Sequence, residues 1–142
     1  MIDCAVYLSQ FNSPQDFYDF LESIPADEEA MILAAQELAS KLTGFGFALA
    51  CDVIKELGMV EYCKPDAWVS RFIKTYLDNK KMDDVQVFRE LRKLAHAEGV
   101  TPFALDRLIW LIGSRNFYKH PHIMINFDAF LKNVIFETKR EP

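Results

Sequence analysis

Apolar residues return every third or fourth position along most of the chain. No stretch alternates apolar and polar residues long enough to make a strand bounded by hairpin turns. That period predicts helices throughout. Ser13-Pro14-Gln15-Asp16 opens the first: Ser caps, Pro suits the first turn, and Asp complements the positive end of the helix. Phe17, Phe20 and Leu21 give it an apolar face. Pro25, then Asp27, Glu28 and Glu29, open the next, in which Met31, Ala34, Ala35, Leu38 and Leu42 share one stripe. Gly44 and Gly46 interrupt the pattern. A third helix is expected from about Phe47 to Leu57, stopped by Gly58 as a left-handed cap.

Pro65 and Asp66 start a fourth helix carrying Val69, Phe72, Ile73 and Leu77. Asp83 or Asp84 starts a fifth, with Val87, Phe88, Leu91, Leu94 and Ala95 inward, and Gly99 stops it. Thr101-Pro102 restarts the chain into FALDRLIWLIG, which is apolar nearly all round and is expected to be a buried central helix. A loop over 114–122 precedes a last helix over about 124–137. The expected fold is all-α: one compact domain of about seven helices, with a helix-hairpin-helix over about 30–57.

Composition agrees with a packed domain. The chain has 142 residues, 51% of them hydrophobic, with 12 Phe, which is enough to fill one core. No apolar run is long enough to span a bilayer, since Asp52 breaks the longest, so no membrane partner is expected. The first residues lack a basic stretch, so no signal peptide is expected. Cys4, Cys51 and Cys63 are odd in number and lack ligand spacing; they fit reduced thiols in the cytoplasm.

Charge divides the chain. Residues 1–40 hold eight carboxylates and no Lys or Arg, and the remaining chain is net basic, which leaves a net charge of −5. An acidic body is a poor non-specific binder of nucleic acid, although a local basic patch on it can still serve. The acidic N-terminal third is a candidate docking surface for a basic protein partner.

The stretch LTGFGFALA carries the sharper possibility. Glycines let a backbone come close, and the N-terminus of the following helix adds partial positive charge, which together suit a phosphate. Gly44, Phe45, Gly46 and Phe47 would hold a nucleic-acid backbone, with Phe45 turned inward between the helices. The plainer reading is a helix corner with glycines at a close crossing.

Together, Leu42-Thr43-Gly44-Phe45-Gly46 and Lys64-Pro65-Asp66-Ala67-Trp68-Val69-Ser70-Arg71 resemble the helix-hairpin-helix base-excision DNA glycosylases, the endonuclease-III-like enzymes. The resemblance covers residues 41–78. It implies an all-helical scaffold that binds DNA and places a catalytic carboxylate at Asp66, with Arg71 in the family's basic position. Apart from the resemblance, Lys64 and Arg71 are candidates to rim a DNA face, and the plainer reading is a solvated surface. The lysine that gives some members lyase chemistry is Ala48 here, so the resemblance implies a monofunctional N-glycosylase. The cysteine loop that holds an iron–sulfur cluster in some members is absent, and no cofactor is implied. Less chain precedes the hairpin than the family has, so a second copy could complete the base pocket.

In such an enzyme Asp66 would stabilise the positive charge that develops on the sugar as the glycosidic bond breaks. The target base must first leave the stack, and Trp68 and Tyr62, with Tyr76, are candidates to receive it. Against this stands the commoner role of an Asp after Pro, capping a helix. Two functions therefore follow: a glycosylase-like DNA-binding enzyme, or a non-enzymatic relative that binds DNA or a protein. His120-Pro121-His122 lacks a third ligand and reads as surface, so no metal is expected. Asp106 and Arg107 interrupt an apolar segment, and at least one of them is expected to pair or reach a groove.

Overall fold

A computed structural model describes residues 2–138. Among them the chain is all-helical, with eight helices and no strand. They are α1 (Ile2–Leu8), α2 (Pro14–Glu22), α3 (Glu28–Lys41), α4 (Phe47–Glu56), α5 (Ala67–Tyr76), α6 (Asp84–Ala97), α7 (Pro102–Ser114) and α8 (Phe127–Thr138). No helix among the described residues is long and apolar enough to cross a membrane. Contacts within the chain gather into two units, Met1–Lys64 and Pro65–Pro142.

The first unit holds α1 to α4. Ser13 caps α2 by accepting from the Asp16 amide, and Asp27 caps α3 by accepting from the Ala30 amide. Each cap satisfies a backbone donor that the first helical turn would leave unpaired. α3 and α4 pack together, and their meeting faces carry small residues: Ala35, Ala50 and Cys51 are fully buried there. Met31, Leu38 and Ile54 fill the space around them. Two tyrosines tie outlying chain to this pair. The Tyr62 hydroxyl donates to the Met31 carbonyl at 3.1 Å, and the Tyr18 hydroxyl of α2 donates to the Leu57 carbonyl at the end of α4. Gly58 follows with a φ of +102°, the left-handed turn that releases the chain.

Helix α1 has no counterpart among the expected helices, which begin at Ser13. It has seven residues, with no proline or glycine punctuation to announce it. What holds it is aromatic: Tyr7, Phe11 and Phe17 meet with ring centroids 4.9–6.3 Å apart, and Phe20 joins them from α2.

The second unit packs α5 against α6, α7 and α8. Its core is Val69, Phe72 and Ile73 of α5 with Val87, Phe88 and Leu91 of α6, closed by Ile109 and Ile112 of α7 and Leu131 of α8. Asp83 and Gln86 form a reciprocal capping box at the start of α6, and Thr101 caps α7. The expectation of a wholly buried α7 is corrected: Leu108 is 48% exposed, and Trp110 is only half-buried. Asp106 on the same helix is 1% exposed, whereas Arg107 is half-buried and lies over the Trp110 ring, 5.5 Å from its centroid. Leu77, expected inward on α5, is also exposed.

Candidate functional site

The glycine turn links α3 to α4 over residues 42–46. The Phe45 amide closes it by donating to the Leu42 carbonyl at 3.0 Å. Gly44 has a φ of +83°, a conformation that strains any side chain but glycine. Gly46 is the N-cap of α4 at a φ of −98°, with no side-chain cap, and a Cβ there would meet nothing within 4 Å. Neither backbone conformation nor local crowding therefore requires glycine at Gly46. Phe45 and Phe47 are half-buried.

Asp66 is the N-cap of α5. Its Oδ1 accepts from the amides of Trp68 at 2.9 Å and Val69 at 3.0 Å. Trp68 is seated in the second unit: its indole lies against Gly113 of α7 and meets Phe127 edge-on, with centroids 5.1 Å apart. Arg71 pairs with Asp128 and stands over the Phe127 ring. Tyr62 is buried, with its hydroxyl on α3 as described. Lys64 reaches the Asp52 carboxylate at 2.8 Å, and Asp52 also holds the buried Lys55 at 3.3 Å. The turn, Tyr62 and Lys64 belong to the first unit; Asp66, Trp68 and Arg71 belong to the second. His120 and His122 are exposed, and no cluster of three metal-ligand side chains exists among the described residues.

A concave feature of another kind lies elsewhere in the first unit. A half-open cavity of about 770 Å³ lies between α1, α2 and the α3–α4 pair. α1 supplies Cys4, Tyr7 and Leu8, and the next loop supplies Phe11, Asn12 and Ser13. Phe17 and Tyr18 of α2, Leu38 of α3, Leu42 and Phe45 of the glycine turn, Val53 of α4 and Leu57 just after it complete the lining. Phe45, expected to lock the turn inward, is thus a cavity wall residue. The volume falls in the range of sites that enclose small apolar ligands or groups.

Polar chemistry in the wall is sparse. No Asp, Glu, Lys, Arg or His lines it, so it lacks the acid–base pair that hydrolysis would need. Tyr7 has its hydroxyl pKa raised above the ordinary 10.0, first by burial and then by the Glu37 carboxylate. It therefore serves as a neutral donor or acceptor. At the edge, Asp16 accepts from the Ser13 hydroxyl at 2.8 Å and from the Asn12 amide at 3.2 Å. Those bonds, Ser13's first, hold its carboxyl below the usual 3.8. Such a wall can bind an apolar group and orient it through a few hydroxyls and an amide.

One signal for this site was present in the sequence. Cys4, Tyr7, Leu8 and Phe11 stand at i, i+3, i+4 and i+7, the stripe of an amphipathic helix, and all four line the cavity. Compared with family models, with curated proteins and with solved structures, the chain finds no match.

Proposed function

We propose that the protein is a non-catalytic binding module whose N-terminal unit receives an apolar group in the cavity under α1 and α2. The observation that carries this is the cavity itself: about 770 Å³, walled by Leu8, Phe11, Phe17, Leu38 and Phe45, and left open on one side. A folded chain gains by collapsing such a volume, because the lining atoms lose contacts across it. Keeping it open is worthwhile when something else fills it. Three free thiols fit a reducing compartment, and the cytoplasm is the expected location.

The test is uptake of an environment-sensitive apolar dye, N-phenyl-1-naphthylamine. Wild-type protein should enhance its emission saturably. Val53→Phe, which places a ring in the cavity, should abolish the enhancement while leaving the far-UV circular dichroism unchanged. Enhancement that survives Val53→Phe would place the dye elsewhere and refute the reading.

A second reading keeps the glycine turn as a grip for a nucleic-acid backbone. The observation that favours it is Gly46: glycine stands where φ is ordinary and space is open, as expected if a ligand backbone approaches from outside. On this reading Lys64 and Arg71 would help hold the DNA, and Asp66 would be the carboxylate of a monofunctional glycosylase. The bonds of Lys64 to Asp52 and of Arg71 to Asp128 weigh against a strong phosphate attraction. A gel shift over a salt series decides it. Retardation at low salt that Gly46→Val and charge reversal at Lys64 both weaken would support the grip; no retardation of any duplex would end it. Release from a panel of damaged bases, abolished by Asp66→Asn, would be needed for the enzyme.

A further inference from the structure

The cavity does not stop at its mouth. Leu8 lines it and is still 47% exposed, Val6 beside it is 65% exposed, and Phe20 of the same aromatic cluster is exposed as well. A compact small molecule held inside would leave these side chains in water. A long apolar ridge would cover both the hollow and its rim. Around α1 the surface continues into a shallower depression of about 240 Å³ formed by Val6, Tyr7, Gln10 and Lys41.

Charge narrows the partner. Asp16 sits at the edge of the cavity through its bonds to Asn12 and Ser13, and Glu37 lines a small depression together with Tyr7. Lys41 is the cation set in the same neighbourhood. The segment that supplies most of the lining, residues 1–40, has carboxylates and no Lys or Arg. Two carboxylates beside an apolar trough, Asp16 and Glu37, complement a helix that carries apolar residues on one face and basic residues on its flanks.

We infer that the group filling the cavity belongs to a basic amphipathic helix of a partner protein, whose apolar residues at i, i+3 or i+4, and i+7 enter the trough while its Lys and Arg side chains meet Asp16 and Glu37. This rests on the reading of the cavity as an apolar binding site. It adds the class of ligand. The largest anchors of the helix would lie against Phe11, Phe17 and Phe45, and burial of those contacts would carry most of the affinity.

The experiment uses the full chain and three fluorescein-labelled synthetic peptides. One is a Leu/Lys helix with its leucines on a single face. The second has the same composition with leucines spread around the helix. The third replaces Lys by Gln. Binding is read by anisotropy, and its location by alkylation of Cys4, a half-buried wall residue, whereas Cys51 and Cys63 are fully buried. The first peptide should bind and slow Cys4 alkylation at least about tenfold; the shuffled peptide should do neither. The Gln peptide and the variant Glu37→Lys should each bind more weakly. Leu8→Glu should lose at least about tenfold in affinity, with circular dichroism to show that it folds, and Val6→Glu on the rim serves if it does not.

Equal binding of the shuffled peptide, or undiminished Cys4 alkylation in a saturated complex, overturns the inference. The dye experiment separates the two claims. Dye uptake without peptide protection of Cys4 sinks the helix and leaves the apolar site standing. Loss of both sinks the site as well.

Discussion

Replacing Gly113 by Ala is the most informative single change in the second unit, because two effects of opposite sign meet there. Gly113 is helical, near the end of α7. By helix propensity alone, Ala should stabilise by up to about 1 kcal/mol. A Cβ at this position, however, would stand 2.4 Å from Cδ2 of Trp68, 2.6 Å from Cε3 and 2.7 Å from Cγ. Ordinary contact begins at 3.4 Å, so the methyl would have to move a full ångström relative to a rigid ring. Phe127 meets that ring edge-on, which limits its retreat. Overpacking of this kind costs about 1–3 kcal/mol, and three ring atoms in conflict put it in the upper half. The net expectation is a loss of about 1–2 kcal/mol.

The assay is urea unfolding followed by far-UV circular dichroism, with the slope checked to be unchanged. The same substitution in a Trp68→Leu background should be neutral or stabilising, giving a coupling of at least about 1 kcal/mol. If Gly113→Ala is neutral or stabilising in the wild-type background, the indole is not seated on α7. Trp68 would then be available as a wall for a base, and the glycosylase reading would gain what the packing now denies it.

Other expectations follow from single contacts. Asp66→Ala should lose about 1 kcal/mol by removing the cap on Trp68 and Val69, whereas Asp66→Asn should stay within a few tenths; equal losses in urea would show that the cap is not what Asp66 contributes. Tyr62→Phe should lose about 1 kcal/mol by removing the bond to the Met31 carbonyl, and an unchanged urea midpoint would refute that bond. Asp16 has a folded pKa below its ordinary 3.8, so its contribution to stability is present above that value and fades as pH falls through the folded one. Asp16→Asn should therefore flatten the acid side of a urea-midpoint profile, and a profile identical to wild type would disprove the assignment.

What could be read from the chain alone was local. The caps at Ser13, Asp27, Asp66, Asp83 and Thr101 act on amides two or three residues ahead, and four of the five are followed by helical apolar stripes; the all-α class and most helix starts follow from these short-range rules. The left-handed turns at Gly44 and Gly58 are equally local, since they depend on the missing Cβ. Tertiary packing decided the rest. α1 has too few residues to hold itself and is fixed by rings from α2 and the loop between them. Leu108 and Leu77 have the residue type of a core position and face water, because burial depends on which neighbour covers a face, and no stripe names its neighbour. Trp68 was an open candidate in sequence and is seated against a glycine 45 positions later. The cavity is a void among side chains from four helices; the stripe of Cys4, Tyr7, Leu8 and Phe11 marks one wall of it in the sequence, and the meeting of that wall with the others is decided by packing.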